Sequence, residues 1–269
     1  NRRQRALGLL LFTAVLLLAV TVSGALLTDR ATAADFSRTN LAPGPDGLFG
    51  TDWLGRDMLS RTLAGLSLSI RIGALTACVS AVIALALGVA AALSRWADAV
   101  LSWLIDLFLG IPHILLVMLI SLACGRGFLG VVAGVSLSHW PSLARLVREE
   151  VLQLRQAPYL LAAEKLGVLR GQLVRRHLLP HLLPQFLTGL ILQFPHAILH
   201  EASVTFLGFG LSSEQPAIGV ILSESMQYLT TGRWWLALFP GLLLVFVVVL
   251  FHFIGDTLSR LLDPAQAHL

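Results

Sequence analysis

The chain has 269 residues, of which 56% are hydrophobic and only 13% charged, with a formal net charge of +4. One soluble core cannot hide that many apolar residues, so lipid must be the solvent for much of the surface. The positive balance is accounted for by membrane topology rather than by a nucleic-acid partner. Two cysteines, Cys78 and Cys124, make no disulfide framework and suggest no redox role.

Taken in chain order, six stretches are long or apolar enough to span a bilayer: 6–27, 72–93, 100–123, 128–146, 182–207 and 235–254. The first reads as a retained helix, being too long for the apolar region of a signal peptide and lacking a small-residue cleavage site before Asp29. The fourth is interrupted by Ser136, Ser138, His139 and Pro141. Arg2, Arg3 and Arg5 precede the first stretch, and Arg145, Arg148, Arg155, Lys165, Arg170, Arg175 and Arg176 gather before the fifth. An even number of helices separates these clusters, so both belong on one side, which the distribution of cations makes the cytoplasm. Arg95 and Arg260 agree, and both termini are expected there. The expected fold is an all-α membrane protein with six transmembrane helices. Its first part, 1–65, holds the first helix and a periplasmic loop, and 66–269 is a five-helix core with a cytoplasmic loop at 145–181.

The outer loop carries Arg30, Arg38, Arg56 and Arg61 together with Asp29, Asp35, Asp46, Asp52 and Asp57. Two readings stand for it: an amphipathic segment that meets an external partner, or charges that pair locally to fold the loop. Gly125-Arg126-Gly127-Phe128-Leu129-Gly130 fits a dinucleotide-binding glycine pattern, but no strand precedes it and no βαβ unit follows. With Gly134 and Ser138 the same glycines make a small-residue stripe at helical spacing, suited to close helix packing.

The polar insert LLAAEKLGVLRGQLVRRHLLP occupies 160–180. Pro158 opens a short helix there, Tyr159, Leu160, Leu161, Ala162 and Ala163 favour it, Glu164 continues it and Gly167 ends it. The product is a compact knob between cationic arms. Two uses are open to it: docking in a partner's groove, or lying on headgroups where arginines favour anionic lipid.

On the fifth stretch Gln193, His196, His200 and Ser203 recur at spacings of three, four and three, so they share one helical face. Polar groups are costly in lipid, so this stripe is expected to face neighbouring helices or a translocation path. Neutral imidazoles at i, i+4 can bind a transition metal or hydrogen-bond the carboxylates of a metal chelate, and helix-packing hydrogen bonds explain the same pair. Asp106, His113, His139 and His252 lie scattered on other stretches and are expected to be hydrogen-bonded packing residues. His196 to Glu201 holds the ingredients of a zinc protease in the wrong order. The only lysine, Lys165, has no phosphate-loop glycines before it, so ATP, if it is used, must be bound by another chain.

The insert resembles the cytoplasmic loop by which permease subunits of ATP-driven importers dock onto their ATPases: Glu-Ala-Ala, three residues, Gly, then Leu-Pro. Ala162, Ala163, Gly167, Leu179 and Pro180 fit that pattern, and Leu161 stands where the family has Glu. Gly50-Thr51-Asp52-Trp53-Leu54-Gly55-Arg56-Asp57, followed by Ser60-Arg61, resembles the outer-loop signature of the peptide and nickel importer permeases, specifically their second permease chain. Further points of likeness follow in register. They are Asp106 with Pro112, Trp140 with Ala144-Arg145 and Val147-Arg148, Glu201-Ala202-Ser203 with Phe206-Leu207-Gly208 and Gly210, and Leu262-Asp263-Pro264.

The resemblance implies a type I ABC importer permease in a bacterial inner membrane. Such a subunit works with a sister permease, two cytoplasmic ATPases that bind ATP and Mg, and an external substrate-binding protein. It would carry no covalent chemistry and no cofactor of its own. Nickel-type members are similar at His196, His200 and Ser138-His139-Trp140, so nickel or a metal chelate is expected ahead of di- or oligopeptides. The competing readings are a secondary transporter or channel, which should show internal repeats, and an intramembrane hydrolase.

Overall fold

Apolar runs set where the helices lie, and Asp, Ser, Pro and Gly set where they begin and end. The computed structural model describes residues 2–45 and 47–262. Asp46 of the outer-loop charge set and Asp263-Pro264 of the tail motif lie outside the described residues. Helix α1 (Arg2–Leu26) and the short α2 (Thr28–Thr32) lead into a loop with one tight turn at Phe36–Arg38. Helix α3 (Met58–Leu93) starts where the Asp57 carboxylate accepts the Ser60 N–H, a cap that stabilises a helix by about 1 kcal/mol. The helix thus begins at Met58 rather than at residue 72, and the boundary drawn at 65 falls within it.

Ser94 is extended and ends α3, and its hydroxyl accepts the Trp96 N–H to start α4 (Arg95–Gly110). Helix α5 (His113–Ala123) follows at a bend of 98°. The third stretch, expected as one continuous span, is therefore a broken pair. Pro112 lacks an N–H and pushes Ile111 to φ −90°, ψ 136°, out of the helical region.

Helix α6 (Phe128–Arg155) contains Pro141 without ending there. Of the expected small-residue stripe, Gly125 and Gly127 are not helical: they take φ of 81° and 100° and make the α5–α6 turn. Gly134 does the packing, since a Cβ there would lie 2.7 Å from the Val117 carbonyl oxygen of α5. The remainder comprises α7 (Pro158–Lys165), α8 (Arg170–Leu173), a π-helical turn at Val174–Leu178, α9 (Leu179–Phe206), α10 (Ile218–Leu229) and α11 (Trp235–Leu262). The sequence reading does not foresee α10. Among the described residues there is no strand, only two isolated bridges, Gly44–Gly47 and Thr51–Asp57, that stitch the loop.

Four helical segments are each long and apolar enough to cross a membrane: Gln4–Leu26, Met58–Ala91, Gly171–Phe206 and Trp235–Leu261, with the α4–α5 pair as a fifth when taken together. Helix α6 has the length, but Arg145, Arg148, Glu149, Glu150 and Arg155 crowd its second half. Helix α3 is central and packs on α1, α6 and α9. Leu66, Ile70, Ile198, Ile221 and Leu236 fill the core toward the loop end, and Ala81, Ala84, Leu101, Ile105 and Trp140 fill it between α3, α4 and α6. Two ion pairs join α4 to α6, Asp98 with Arg148 at 2.5 and 3.0 Å and Asp106 with Arg145 at 2.7 Å. The earlier acid meets the later base, so the two helices run antiparallel. Leu11, Phe12, Leu18 and Leu26 of α1 face outward, as a helix in lipid requires.

Candidate functional site

At one end of the bundle α7 forms the knob that the insert pattern predicts. Pro158 is its first residue, and Gly167 follows its end with φ of 81°. The Val168 N–H reaches back to the Ala163 carbonyl at 3.2 Å and the Leu166 N–H to Ala162 at 3.0 Å, the closing pattern that a left-handed glycine permits. Leu160 anchors the knob, being 5% exposed among Val147, Val151, Leu173, Leu178 and Leu182. The other side is open: Tyr159, Leu166 and Leu169 are 48%, 85% and 69% exposed, and Ala162 is exposed beside them. Lys165, Arg175 and Arg176 are exposed around it and keep these apolar groups out of hydrocarbon. Pro180 lies in the first turn of α9, where a missing N–H costs nothing. The side chains of Leu161 and Glu164 lie outside the described residues.

The stripe on α9 divides. Gln193 is buried and donates from Nε2 to the His139 carbonyl at 2.8 Å, binding α9 to α6. His196 is exposed, with its ring centroid 6.1 Å from that of His252. His200 is half-buried and its Nδ1 donates to the His196 carbonyl at 2.8 Å; the Ser203 hydroxyl donates to Leu199 at 2.7 Å. The rings of His113 and His139, expected to be scattered packing residues, lie against His200 with centroids 4.2 and 5.0 Å away. No periodicity could have found that grouping, because its three members sit on three helices. Glu201 is fully buried and accepts the Thr205 hydroxyl at 3.0 Å, while Thr205 in turn accepts the Leu211 N–H. The Glu201 to Gly210 pattern thus closes the turn after α9.

At the opposite end the outer-loop signature builds an ion cluster. Asp52 is fully buried; its Oδ1 accepts the N–H groups of Leu54 and Arg56, and its Oδ2 accepts Arg56 Nε at 2.6 Å and Arg61 Nη1 at 3.0 Å. Arg61, 1% exposed, donates from Nη2 to Glu224 of α10 at 2.5 Å. Trp53 stacks on Tyr228 at 4.9 Å with both guanidinium groups over its ring. Asp52, Arg56 and Arg61 of the loop therefore pair, but across the chain to Glu224 as well as locally. The hydroxyl and N–H of Ser37 hold the Asp35 carboxyl below the usual carboxylate range. Beside the cluster is a cleft of about 450 Å³ lined by Arg126, Ser212, Ser213, Ser223 and Glu224 among others.

A helical membrane bundle with a capped, uncovered knob at one end and a polar cleft at the other is the architecture of a transport subunit. Residues 82–268 match the family described as binding-protein-dependent transport system inner membrane component, and the chain belongs to that family. It is 35% identical over 98% of its length to a putative peptide transport system permease protein of Brucella suis biovar 1 (strain 1330), covering 88% of that relative. It is 30% identical to the dipeptide transport system permease protein DppC of Bacillus subtilis (strain 168), over 94% of this chain and 80% of the relative. Among solved structures it resembles a chain of the inward-facing MetNI methionine ABC transporter, with a TM-score of 0.64 at 22% identity over 77% of this chain and 98% of that one. At that identity the likeness shows the fold. The protein is thus an ABC importer permease of the bacterial inner membrane, a transport subunit whose ATP is hydrolysed by partner ATPase chains. Secondary-transporter, channel and hydrolase readings give way to this one.

Proposed function

We propose that this subunit pairs with a sister permease to form the path of a small hydrophilic solute into the cell, and that α7 seats in a groove of one of two cytoplasmic ATPases. The α7 knob carries the reading: an anchored helix with an uncovered apolar face, set among cations, in a member of a binding-protein-dependent family. Six passages, the third broken at Pro112, put both termini and α7 in the cytoplasm and the ion-paired loop outside, where a substrate-binding protein docks. ATP and Mg belong to the partner ATPases. Their closure on ATP pulls the α7 knobs together, and the ion-paired contact of α4 with α6 passes that motion to the bundle so that the cavity opens alternately to each side.

For the solute, the names of the relatives support a dipeptide or oligopeptide. The cleft lined by Arg126, Ser212, Ser213 and Ser223 offers a cation and hydroxyls, which suit the carboxylate end of a peptide, while Glu224 at its edge is already paired with Arg61. A second reading, nickel or a metal chelate, draws on the grouped imidazoles of α5, α6 and α9.

The test is the intact complex in proteoliposomes, with its binding protein loaded with a dipeptide or with a nickel chelate. Dipeptide-stimulated ATP hydrolysis and uptake, both lost on Ala162→Glu on the uncovered face, support the peptide reading and the docking role of α7. Stimulation by the chelate alone overturns the peptide reading. Normal stimulated hydrolysis in Ala162→Glu removes α7 as the coupling element. Cysteines placed at Ser37 and Gly171, in a background lacking Cys78 and Cys124, should label from opposite faces; labelling from one face sinks the six-passage topology.

A further inference from the structure

We infer that His113, His139 and His200 form a binding site for a late first-row divalent transition-metal ion, with a coordination position left open on the uncovered face of α9. Each histidine offers one nitrogen, and the three nitrogens lie within 4.8 Å of one another. An ion with metal–nitrogen bonds of about 2.0–2.1 Å holds its ligand nitrogens about 3.3 Å apart when tetrahedral and about 3 Å apart on one face of an octahedron, so small side-chain rotations close the site in either geometry.

The hydrogen bonds already prepare the rings. A carbonyl oxygen can only accept, so the contacts of His139 Nδ1 with Val135 and of His200 Nδ1 with His196, each 2.8 Å, put the proton on Nδ1 in both. The Nε2 lone pairs are left to bind. This is the outer-shell arrangement that orients imidazole ligands in metalloproteins. His139 Nε2 and His113 Nδ1 are buried and have no hydrogen-bond partner. His139 itself is 7% exposed. Two orphaned nitrogens beside a third imidazole are costly for a dry interior, and one cation satisfies all three.

Three neutral imidazoles bring no negative charge to a divalent ion at membrane depth, where uncompensated charge is disfavoured. The favoured occupant therefore arrives with anionic ligands of its own, which fit at the open position beside half-buried His200. Imidazole donors select nickel, copper and zinc over magnesium and calcium. The bend at Pro112 is what makes the site: it starts α5 at His113 and lays that ring within 4.6 Å, centroid to centroid, of His139. The site does not depend on whether the transported solute is a peptide.

The experiment titrates the purified intact complex with Ni²⁺ alone and with Ni²⁺–iminodiacetate, a chelate that leaves three positions for imidazole. One saturable equivalent is expected per copy of this subunit, with X-ray absorption on the unmodified complex reporting scattering from three imidazoles. Tighter binding of the chelate identifies a chelated ion as the occupant, and tighter binding of Ni²⁺ alone identifies the free ion. Loss of a ligand costs at least as much as loss of an outer-shell partner, so His113→Asn, His139→Gln and His200→Ala should each weaken binding about 10–100-fold or more. His252→Ala and His181→Ala should leave it unchanged. No saturable binding of either probe, or equal loss in His252→Ala, overturns the site. Dipeptide-stimulated ATP hydrolysis in the same preparation separates this result from a failure of the peptide reading.

Discussion

At the loop end, Asp52, Arg56, Arg61 and Glu224 form one closed set of ion pairs, and Trp53 and Tyr228 stack over them. At the α7 end, Leu166 and Leu169 stand uncovered on a helix held to the bundle chiefly by Leu160. The first end spends charge on folding itself, tying residue 61 to a helix far along the chain. The second leaves apolar surface uncovered within this chain. The two ends thus differ in kind: one is tied by charge within the chain, the other stands with apolar groups uncovered.

The sharpest way to break the contrast is Asp52→Ala. It leaves Arg61 buried with only Glu224 opposite it, and removal of one member of a buried pair costs about 3–5 kcal/mol. Assembled complex, counted by size-exclusion chromatography, should fall sharply; a yield and melting temperature equal to the unmodified protein would mean that the cluster does not hold the loop. Gly55→Val comes next. Its φ is 74°, and a Cβ would run into the Asp35 carbonyl, so a loss on the order of 1–3 kcal/mol is expected, again read as melting temperature.

Gly167→Val probes the other end and should look different. Forcing a β-branched residue to φ 81° costs about 1–2 kcal/mol, but nothing lies within 4 Å of a Cβ there, so the damage stays local. Assembly and melting should hold nearly constant while uptake per ATP hydrolysed falls. A fall in assembly as large as that of Asp52→Ala would erase the distinction between the ends. The smallest effect is expected from Arg145→Ala, whose partner Asp106 is largely exposed: below about 1 kcal/mol, fading at high salt.

The apolar runs, the cationic clusters and the Pro158-to-Gly167 knob are local signals, each read within a few residues, and they made the helical membrane class and the short helix α7 legible. Asp106, Arg145 and Arg148 were legible as motif residues, but Asp98 was not, and their pairing appeared only once α4 lay against α6. Helix α10 went unforeseen because a 12-residue amphipathic helix is too short to register as a span. Gln193 shares the spacing of His196 and His200, yet it packs on the His139 carbonyl while His196 faces outward. A stripe on one helix says which side chains share a face, and the width of the neighbouring helix decides how much of that face is covered.

By itself, then, the sequence determined what depends on neighbours along the chain: helices from apolar period and ends from capping residues. Only the tertiary structure decided what depends on angles between helices. Pro112 lies inside the stretch expected as one span, and the 98° turn that brings His113 beside His139 and His200 goes with how α5 packs on α6, with Gly134 against the Val117 carbonyl. Likewise, Arg61 and Glu224 each read as an ordinary charge until the fold sets them 2.5 Å apart. Short-range backbone preferences are written residue by residue, whereas the meeting of distant side chains depends on the packing of whole helices, which no single stretch of sequence contains.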